Sequence, residues 1–185
     1  MKTTQIQIKT KNQIFHDFII LVKSALSTFG AEKWEVRQLN QIFKINILND
    51  TVFISIISSW QNGRQYYKKA KIERTIRRTN SVKQEVQIRF SATRREKQTD
   101  TLETYAATDI LKLIKSYMQT PEGIQQLAEM GYAQYRATEV SEQNFMNDSD
   151  NFQFLPYFEC TFLFTETWAN TIGEITKVTG NIHKV

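Results

Sequence analysis

The chain has 185 residues, of which 41% are hydrophobic and 23% are charged, with a net charge of +5. This composition is that of a globular chain with enough apolar material for one core, and the longest apolar run, residues 18–22, is too short to cross a bilayer. We therefore expect one domain over residues 1–185, in a soluble protein that is made in the cytoplasm and has no membrane contact. The single cysteine, Cys160, cannot form an internal disulfide and is expected to be buried and inert.

The first predicted element is a helix over residues 12–29. Its apolar residues recur at helical spacing, and Gly30 follows as a residue that can end the helix. Residues 42–48 alternate in part and predict a short strand or an irregular edge segment.

A β-hairpin is predicted next. Residues 51–61 are rich in β-branched and aromatic types, and Asn62-Gly63 is the dipeptide that type I′ turns favour because both positions need positive φ. The hairpin would return over residues 64–73. A further strand follows, in which apolar residues alternate with polar ones between Val82 and Phe90.

Helical spacing returns over residues 101–118 and predicts a second amphipathic helix. Thr120-Pro121-Glu122 then predicts a restart, because Thr can cap a helix and Pro is tolerated at the first helical position. The resulting short helix would end near Met130, before Gly131, and residues 132–140 have strand composition.

The clearest strand lies near the C-terminus. Residues 147–151 are short and polar and predict a loop. Beyond them Phe158, Cys160, Phe162 and Phe164 alternate with more polar residues, so we expect these four side chains to form one buried face.

These elements together predict an α+β fold. Because a two-residue turn joins antiparallel strands, the sheet should be mainly antiparallel, with about four to six strands. One face would pack on the two long amphipathic helices, and the other would be more polar.

Charge is distributed unevenly along the chain. Residues 64–97 contain twelve basic and three acidic residues, a net charge of +9, which leaves −4 on the remainder. Such a field suits a polyanion or an acidic surface on a neighbouring subunit. Long basic side chains also protect exposed strands from edge pairing, and Tyr66 and Tyr67 could stack on bases or pack within the sheet.

Motifs for catalysis or cofactor binding are absent from the sequence. The six glycines form neither a dinucleotide-binding nor a P-loop motif, and the two histidines, His16 and His183, stand at opposite ends of the chain. Asp148 and Asp150 have the spacing that begins a calcium loop, but Gln153 occupies the position that requires glycine. We expect no cofactor, no metal and no enzymatic activity.

A set of segments from about residue 30 to 170 resembles a known family. The segments are Trp34-Glu35-Val36-Arg37, Trp60-Gln61-Asn62-Gly63-Arg64, Gln87-Ile88-Arg89-Phe90, Tyr135-Arg136-Ala137, Asn144-Phe145-Met146-Asn147-Asp148 and Pro156-Tyr157-Phe158-Glu159-Cys160-Thr161-Phe162. In this order they are similar to the tailed-phage neck and tail terminator proteins of the LIC-type, gp12-like family.

The resemblance implies a structural protein of a phage or prophage, located in the tail or neck of the virion. Its tail-terminator-like fold would form a homo-oligomeric ring, expected to be a hexamer, at the head-proximal end of the tail tube. The ring would end tube growth and join the tail to neck and head-completion proteins, and DNA would pass through it without being read in sequence.

Two groups of residues are the candidate contacts of such a ring. Complementary charge around a closed circle makes five arginines candidates for subunit or lumen contacts: Arg74, Arg77, Arg78, Arg94 and Arg95. Phe145 and Met146 lie in a polar segment, about residues 141–151, that is predicted to be a loop and are candidates for docking on a neighbour or on the tube. The alternative function is a sequence-neutral DNA-binding or DNA-processing protein that uses the basic segment 64–97.

Overall fold

The computed structural model describes residues 4–39, 50–72, 75–94, 105–141, 144–146 and 152–173. In these ranges the elements follow one another as β1 (Thr4–Gln7), α1 (Lys11–Thr28), β2 (Glu35–Gln38), β3 (Thr51–Ile72), β4 (Thr75–Thr93), α2 (Ala107–Tyr117), α3 (Pro121–Glu129), β5 (Tyr132–Ala137), β6 (Asn144–Met146), β7 (Phe152–Phe154) and β8 (Tyr157–Gly173). The strand predicted over residues 42–48 lies outside the described residues.

The described strands form a mixed sheet of six strands and a separate pair. The order in the large sheet is β1-β8-β4-β3-β2, with β5 also paired to β8, and β6 pairs with β7. β2 runs parallel to β3, whereas the β3–β4 and β4–β8 pairs are antiparallel.

The predicted fold class is therefore wrong. The described helices have 18, 11 and 9 residues, so two long amphipathic helices do not cover the sheet. The second helix begins only at Ala107, because Ala106 has an extended backbone (ψ 158°) and is the N-cap. Tyr105 and Ala106 keep the apolar helical spacing although they precede the helix, and for this reason periodicity does not locate its start. Residues 101–104 of the predicted helix lie outside the described residues.

The predicted hairpin turn at Asn62-Gly63 is also wrong. β3 continues through this dipeptide, and the pairing advances from Asn62 opposite Lys83 to Tyr66 opposite Ser81. Two extra residues of β3 are accommodated there, and Gly63 supplies a φ of +83°. β4 pairs without interruption with β8 along this stretch, so an extended partner strand is available for β3 to follow.

Capping threonines begin α1 and α3, and the one before α3 confirms the prediction from Thr120-Pro121. Thr10 caps α1 by accepting a hydrogen bond from the Gln13 N–H, and the Gln13 side chain accepts from the Thr10 N–H. Thr120 caps α3 by accepting from the Gly123 N–H at 3.1 Å, and Pro121 occupies the first helical position.

The core lies between the helices and one face of the sheet. The predicted face of β8 is confirmed, since Phe158, Cys160 and Phe162 have no exposed surface and Phe164 is 5% exposed. The Phe18 ring of α1 lies 4.6 Å from the Phe162 ring and 6.1 Å from the Phe90 ring, measured between centroids. Large aromatic side chains from one helix and two strands thus pack against one another in the core.

A polar cluster ties the start of the chain to this core. The Lys9 Nζ donates to Asp17 Oδ2 at 2.5 Å and to the Met130 carbonyl at 2.6 Å. The Tyr132 hydroxyl donates to the same Asp17 oxygen at 3.1 Å. Burial, together with the charge of Asp17 and this hydrogen bond, raises the pKa of Tyr132 well above its usual range.

Candidate assembly surfaces

The long sheet extends beyond the helix layer as a ribbon, which we define as residues 58–72 of β3, 75–84 of β4 and 165–173 of β8. Members of the apolar core cluster are found in β3 at Val52 and Ile54, in β4 between Val86 and Ala92, and in β8 between Phe158 and Phe164. Strand pairing nevertheless continues beyond these core residues. The β3–β4 pairing ends with Ile72 opposite Thr75, and the β4–β8 pairing ends with Thr75 opposite Gly173. Ten paired residues of β4 make the ribbon about 33 Å long.

The outer face of the ribbon, opposite the helices, carries exposed aromatic and basic side chains. Trp60 pairs with Glu85, Tyr66 with Ser81 and Lys68 with Thr79. These β4 partners alternate with the core-facing Val82 and Val86, so the three β3 residues share the outer face with Lys83. Trp60 is 43% exposed and Tyr66 is 60% exposed. The sequence left open that Tyr66 packs within the sheet, but in the described part of the subunit its side chain is mostly exposed.

Nearer the body the outer face is polar but internally bonded. Arg89 donates from Nε and Nη2 to Glu159 Oε1, at 2.9 and 2.7 Å, and its guanidinium carbon lies 4.5 Å from the centroid of the Tyr157 ring. Gln87 donates to Glu159 Oε2 at 2.6 Å. The positive charge of Arg89 is therefore paired within the subunit.

The Glu85 carboxylate is bonded in the same way where the body meets the ribbon. It is 9% exposed and accepts a hydrogen bond from Asn62 Nδ2 at 2.7 Å. The Asn62 amide, which the sequence assigned to a turn, thus satisfies a buried carboxylate.

The three candidate arginines within the described residues lie at two distant positions of the sheet. Arg77 and Arg78 are neighbours in the ribbon, where they pair with Ala70 and Lys69. Arg94 directly follows β4 at its other end, about 50 Å from Arg78 along an extended strand. Arg74 and Arg95 lie outside the described residues.

Phe145 and Met146 belong to strand β6, inside the segment predicted to be a loop. β6 pairs with β7 in register Asn144 to Phe154 and Met146 to Phe152. This hairpin follows an isolated bridge between Ser141 and Tyr157, so it leaves the sheet at the beginning of β8.

A groove of about 580 Å³ opens between α3, the end of α2 and β5. Ile124 and Tyr135 line it and are 56% and 67% exposed. Lys115 and Glu139 form a 2.8 Å salt bridge at its edge. The groove lies on the helix side of the molecule and has a mixed polar and apolar lining.

The titratable groups show little that resembles a catalytic centre. Burial raises the pKa of the Cys160 thiol to about 12, with Lys115 acting in the opposite sense, so the thiol is protonated at neutral pH. Within the described ranges no three His, Cys, Asp or Glu side chains are grouped as a metal site would require. His16 is exposed on α1, and His183, Asp148 and Asp150 lie outside the described residues.

Comparison with known protein families identifies the family of the chain. The sequence model of the family described as E217 gateway protein gp29 matches residues 19–174, which is most of the chain and includes β2 to β8. The chain belongs to the E217 gateway protein gp29 family.

Membership in the gateway family confirms the prediction of a phage neck or tail protein at a coarse level. The gateway family is one of structural proteins of the phage head–tail connection, so the chain is a component of the virion neck that contacts head or tail proteins. A structural family also agrees with a non-enzymatic role. The narrower assignment to the LIC-type, gp12-like family is not confirmed.

No curated protein matches this gateway-family chain. None of the helices in the described part of the chain combines the length and the hydrophobicity needed to span a membrane.

Proposed function

We propose that this chain is the subunit of a homo-oligomeric ring, with six copies as the expected number, that caps the head-proximal end of the tail tube and joins it to neck and head-completion proteins. The observation that carries the proposal is the ribbon, a paired sheet about 33 Å long that extends past the apolar core of its own subunit. Its outer face exposes Trp60 and Tyr66. Exposed aromatic residues on an extended strand pair are typical of surfaces that contact another chain.

The uneven distribution of charge along the chain supports a ring in particular. A +9 segment and a −4 remainder on one chain favour contacts between different patches of neighbouring copies. Such heterologous contacts give rings when the rotation closes. We propose that Arg77 and Arg78 in the ribbon, together with Arg74, Arg94 and Arg95, contact neighbours or line the lumen through which DNA passes without being read in sequence.

The test is the assembly state of the protein and the tails of a phage that lacks it. We expect light scattering and electron microscopy of the purified protein to show closed rings. A phage without the protein should make tubes of irregular length that do not join heads. Tails of normal length attached to heads would contradict the proposal.

The basic segment also supports the second candidate, a sequence-neutral DNA-binding protein. A salt series of duplex binding, with sedimentation of the same samples, separates the two functions. A lumen surface should bind free duplex weakly at physiological salt, because a few exposed charges give only steeply salt-dependent affinity. Tight binding by a monomer, abolished by Arg77→Glu and Arg78→Glu without a change in oligomeric state, would favour the second candidate.

A further inference from the structure

The groove beside α3 follows β5 from one end of the strand to the other. All six residues of β5, Tyr132–Ala137, line it. Because successive side chains of a strand point to opposite faces, six consecutive residues share only the edge of the main chain. The groove therefore runs along an edge of β5, and α3 and the end of α2 form its other wall.

This edge carries main-chain groups that the described sheet leaves available. Among the described strands β5 has one partner, β8, so alternate N–H and C=O groups on its other side face the groove. A bulge interrupts the pairing with β8 between Gln134 and Arg136. The regular part of the edge is thus residues 132–134, which a short added strand can follow.

Apolar side chains are exposed on both walls of the groove. Ile124 of α3 is 56% exposed, and Tyr135, the extra residue of the bulge, is 67% exposed. The groove has a volume of about 580 Å³, within the range of roughly 300–1,000 Å³ that is typical of binding clefts. An extended chain in the groove would cover Ile124 and Tyr135 with apolar side chains of its own.

The charged residues of the lining favour an acidic partner. They are two cations, Lys115 and Arg136, and one acid, Glu139. The Lys115 side chain is only 16% exposed, whereas Glu139, which pairs with it at 2.8 Å, is 94% exposed. A carboxylate on a partner segment would therefore meet an ammonium that is largely withdrawn from water, where a charged hydrogen bond is stronger than at an open surface.

We propose that this groove binds an extended segment of a head or tail protein, in which apolar residues alternate with acidic ones, by strand addition to β5. The family places the chain at the head–tail connection, where it contacts such proteins. Main-chain hydrogen bonds to residues 132–134 would supply affinity, and the side chains of the groove would select the sequence. The inference goes beyond the proposed ring and does not depend on it.

The ribbon of a second copy fits this groove poorly. Residues 58–72 of β3 contain four basic residues and no acidic one. Like charges would then face each other across the contact, which disfavours binding. The charge of the groove therefore points to a protein other than this chain.

A synthetic peptide tests the groove directly. The probe is a short peptide in which Val and Asp alternate, with blocked ends and a fluorescent label, and we expect saturable binding by fluorescence anisotropy. The same peptide with Lys in place of Asp should bind roughly tenfold more weakly or less, because its charges repel the cations of the groove. A Val-Asp peptide with methylated main-chain nitrogens should not bind, since it lacks the donors that strand addition needs.

Variants of the protein locate the binding. Ile124→Ser with Tyr135→Ser should weaken binding of the Val-Asp peptide by roughly tenfold or more, because both positions lose apolar contact with it. The matched control is Lys23→Glu with Lys112→Glu, at exposed positions of α1 and α2, and should bind the peptide as the parent does. Thermal unfolding checks that each variant is folded.

The charge preference and the strand pairing have separate measurements. Lys115→Gln and Arg136→Gln should each reduce the preference for the Asp peptide over the Lys peptide. Hydrogen exchange of the parent protein should slow at amides within residues 132–134 when the Val-Asp peptide is bound. In a phage that carries Ile124→Ser with Tyr135→Ser, subunits should assemble as in the parent, but fewer heads and tails should be joined.

The other outcomes overturn the proposal in different ways. Absence of saturable binding to the Val-Asp peptide would overturn the site, and equal binding of the methylated peptide would overturn strand addition. Oligomers that dissociate when the peptide is added would make a second copy the occupant and overturn the assignment to a head or tail protein. Failure of the proposed ring is distinguished from these outcomes, because it would appear as a parent protein that stays monomeric and still binds the peptide.

Discussion

At the scale of single residues, the interior depends on a few aromatic side chains that touch across elements. Phe162 lies at the centre, with its ring 4.6 Å from that of Phe18 and 6.4 Å from that of Tyr132. It is fully buried, and its strand neighbour Cys160 is as well. Changes at these positions therefore act on stability before they act on assembly.

Replacing Phe162 by Ala should lower the free energy of unfolding by about 3–5 kcal/mol, because a ring-sized cavity would remain among rigid neighbours. Chemical denaturation of the two proteins measures this loss. Thr165→Ala, at an exposed position of the same strand, is the control and should stay within about 0.5 kcal/mol of the parent. A loss below about 1 kcal/mol for Phe162→Ala would contradict the packing described here.

Cys160 should make stability depend on alkaline pH. Its folded-state pKa, about 12, lies above the ordinary value of 9.0, so its contribution to the free energy of unfolding is complete below about pH 9 and declines as the pH rises toward 12. The slope is at most roughly 1.4 kcal/mol per pH unit for one proton. Cys160→Ala should remove the part that begins near pH 9, whatever its effect on stability at neutral pH.

Denaturation curves of both proteins across this alkaline range provide the measurement. Tyr132, whose pKa is also raised, contributes in the same direction, but only above its ordinary value of 10.0. An identical pH slope in Cys160→Ala would show that the thiol does not titrate as its burial requires. Native Cys160 should also resist thiol reagents until the protein unfolds.

At the scale of elements, the junction between α2 and α3 depends on a glycine. A Cβ built on Gly123 would lie 2.0 Å from the Tyr117 carbonyl oxygen, a backbone atom that cannot move away without shifting the end of α2. The two helices approach so closely because Thr120 caps α3 directly after Tyr117 and Met118 end α2.

Gly123→Ala should therefore destabilise the protein by roughly 1–3 kcal/mol, since overpacking forces a backbone shift. Thermal unfolding detects this as a lower Tm. Gln125→Ala, an exposed position on the same helix, should leave the Tm nearly unchanged. An unchanged Tm for Gly123→Ala would mean that the helix junction is looser than the distance indicates.

At the scale of the whole molecule, the subunit is a long sheet with helices over one part of it. The proposed assembly surfaces at its two ends would separate residues that support folding from residues that support association. Phe145 and Met146 test this division, because their hairpin pairs within itself rather than with the six-stranded sheet.

Changing Phe145 and Met146 to Ser should weaken association while leaving the Tm of the isolated subunit unchanged, because we propose that these two apolar side chains contact a neighbour and not the core of their own subunit. Sedimentation and thermal unfolding of the same variant measure the two effects. A large fall in Tm would place both residues in the core of their own subunit. A matched change at Ile124 and Tyr135, in the groove beside α3, should not affect this contact.

Some of the fold and of the candidate site follows from sequence because it depends on local pattern. The alternation of Phe158, Cys160, Phe162 and Phe164 predicted their burial, and Thr120-Pro121 predicted the start of α3. Periodicity and capping act within a few residues and need no knowledge of distant partners. The family resemblance likewise predicted a phage neck or tail protein.

Tertiary structure alone decided how the sheet is extended and which residues share its outer face. Asn62-Gly63 satisfies the rule for a tight turn, yet β4 and β8 present a continuous paired edge, so β3 passes through with a bulge and Asn62 bonds Glu85. That register brings Trp60, Tyr66 and Lys68 onto one face, and separates Arg78 from Arg94. Such placements depend on pairing between strands distant in sequence, which the local pattern of any one strand does not contain.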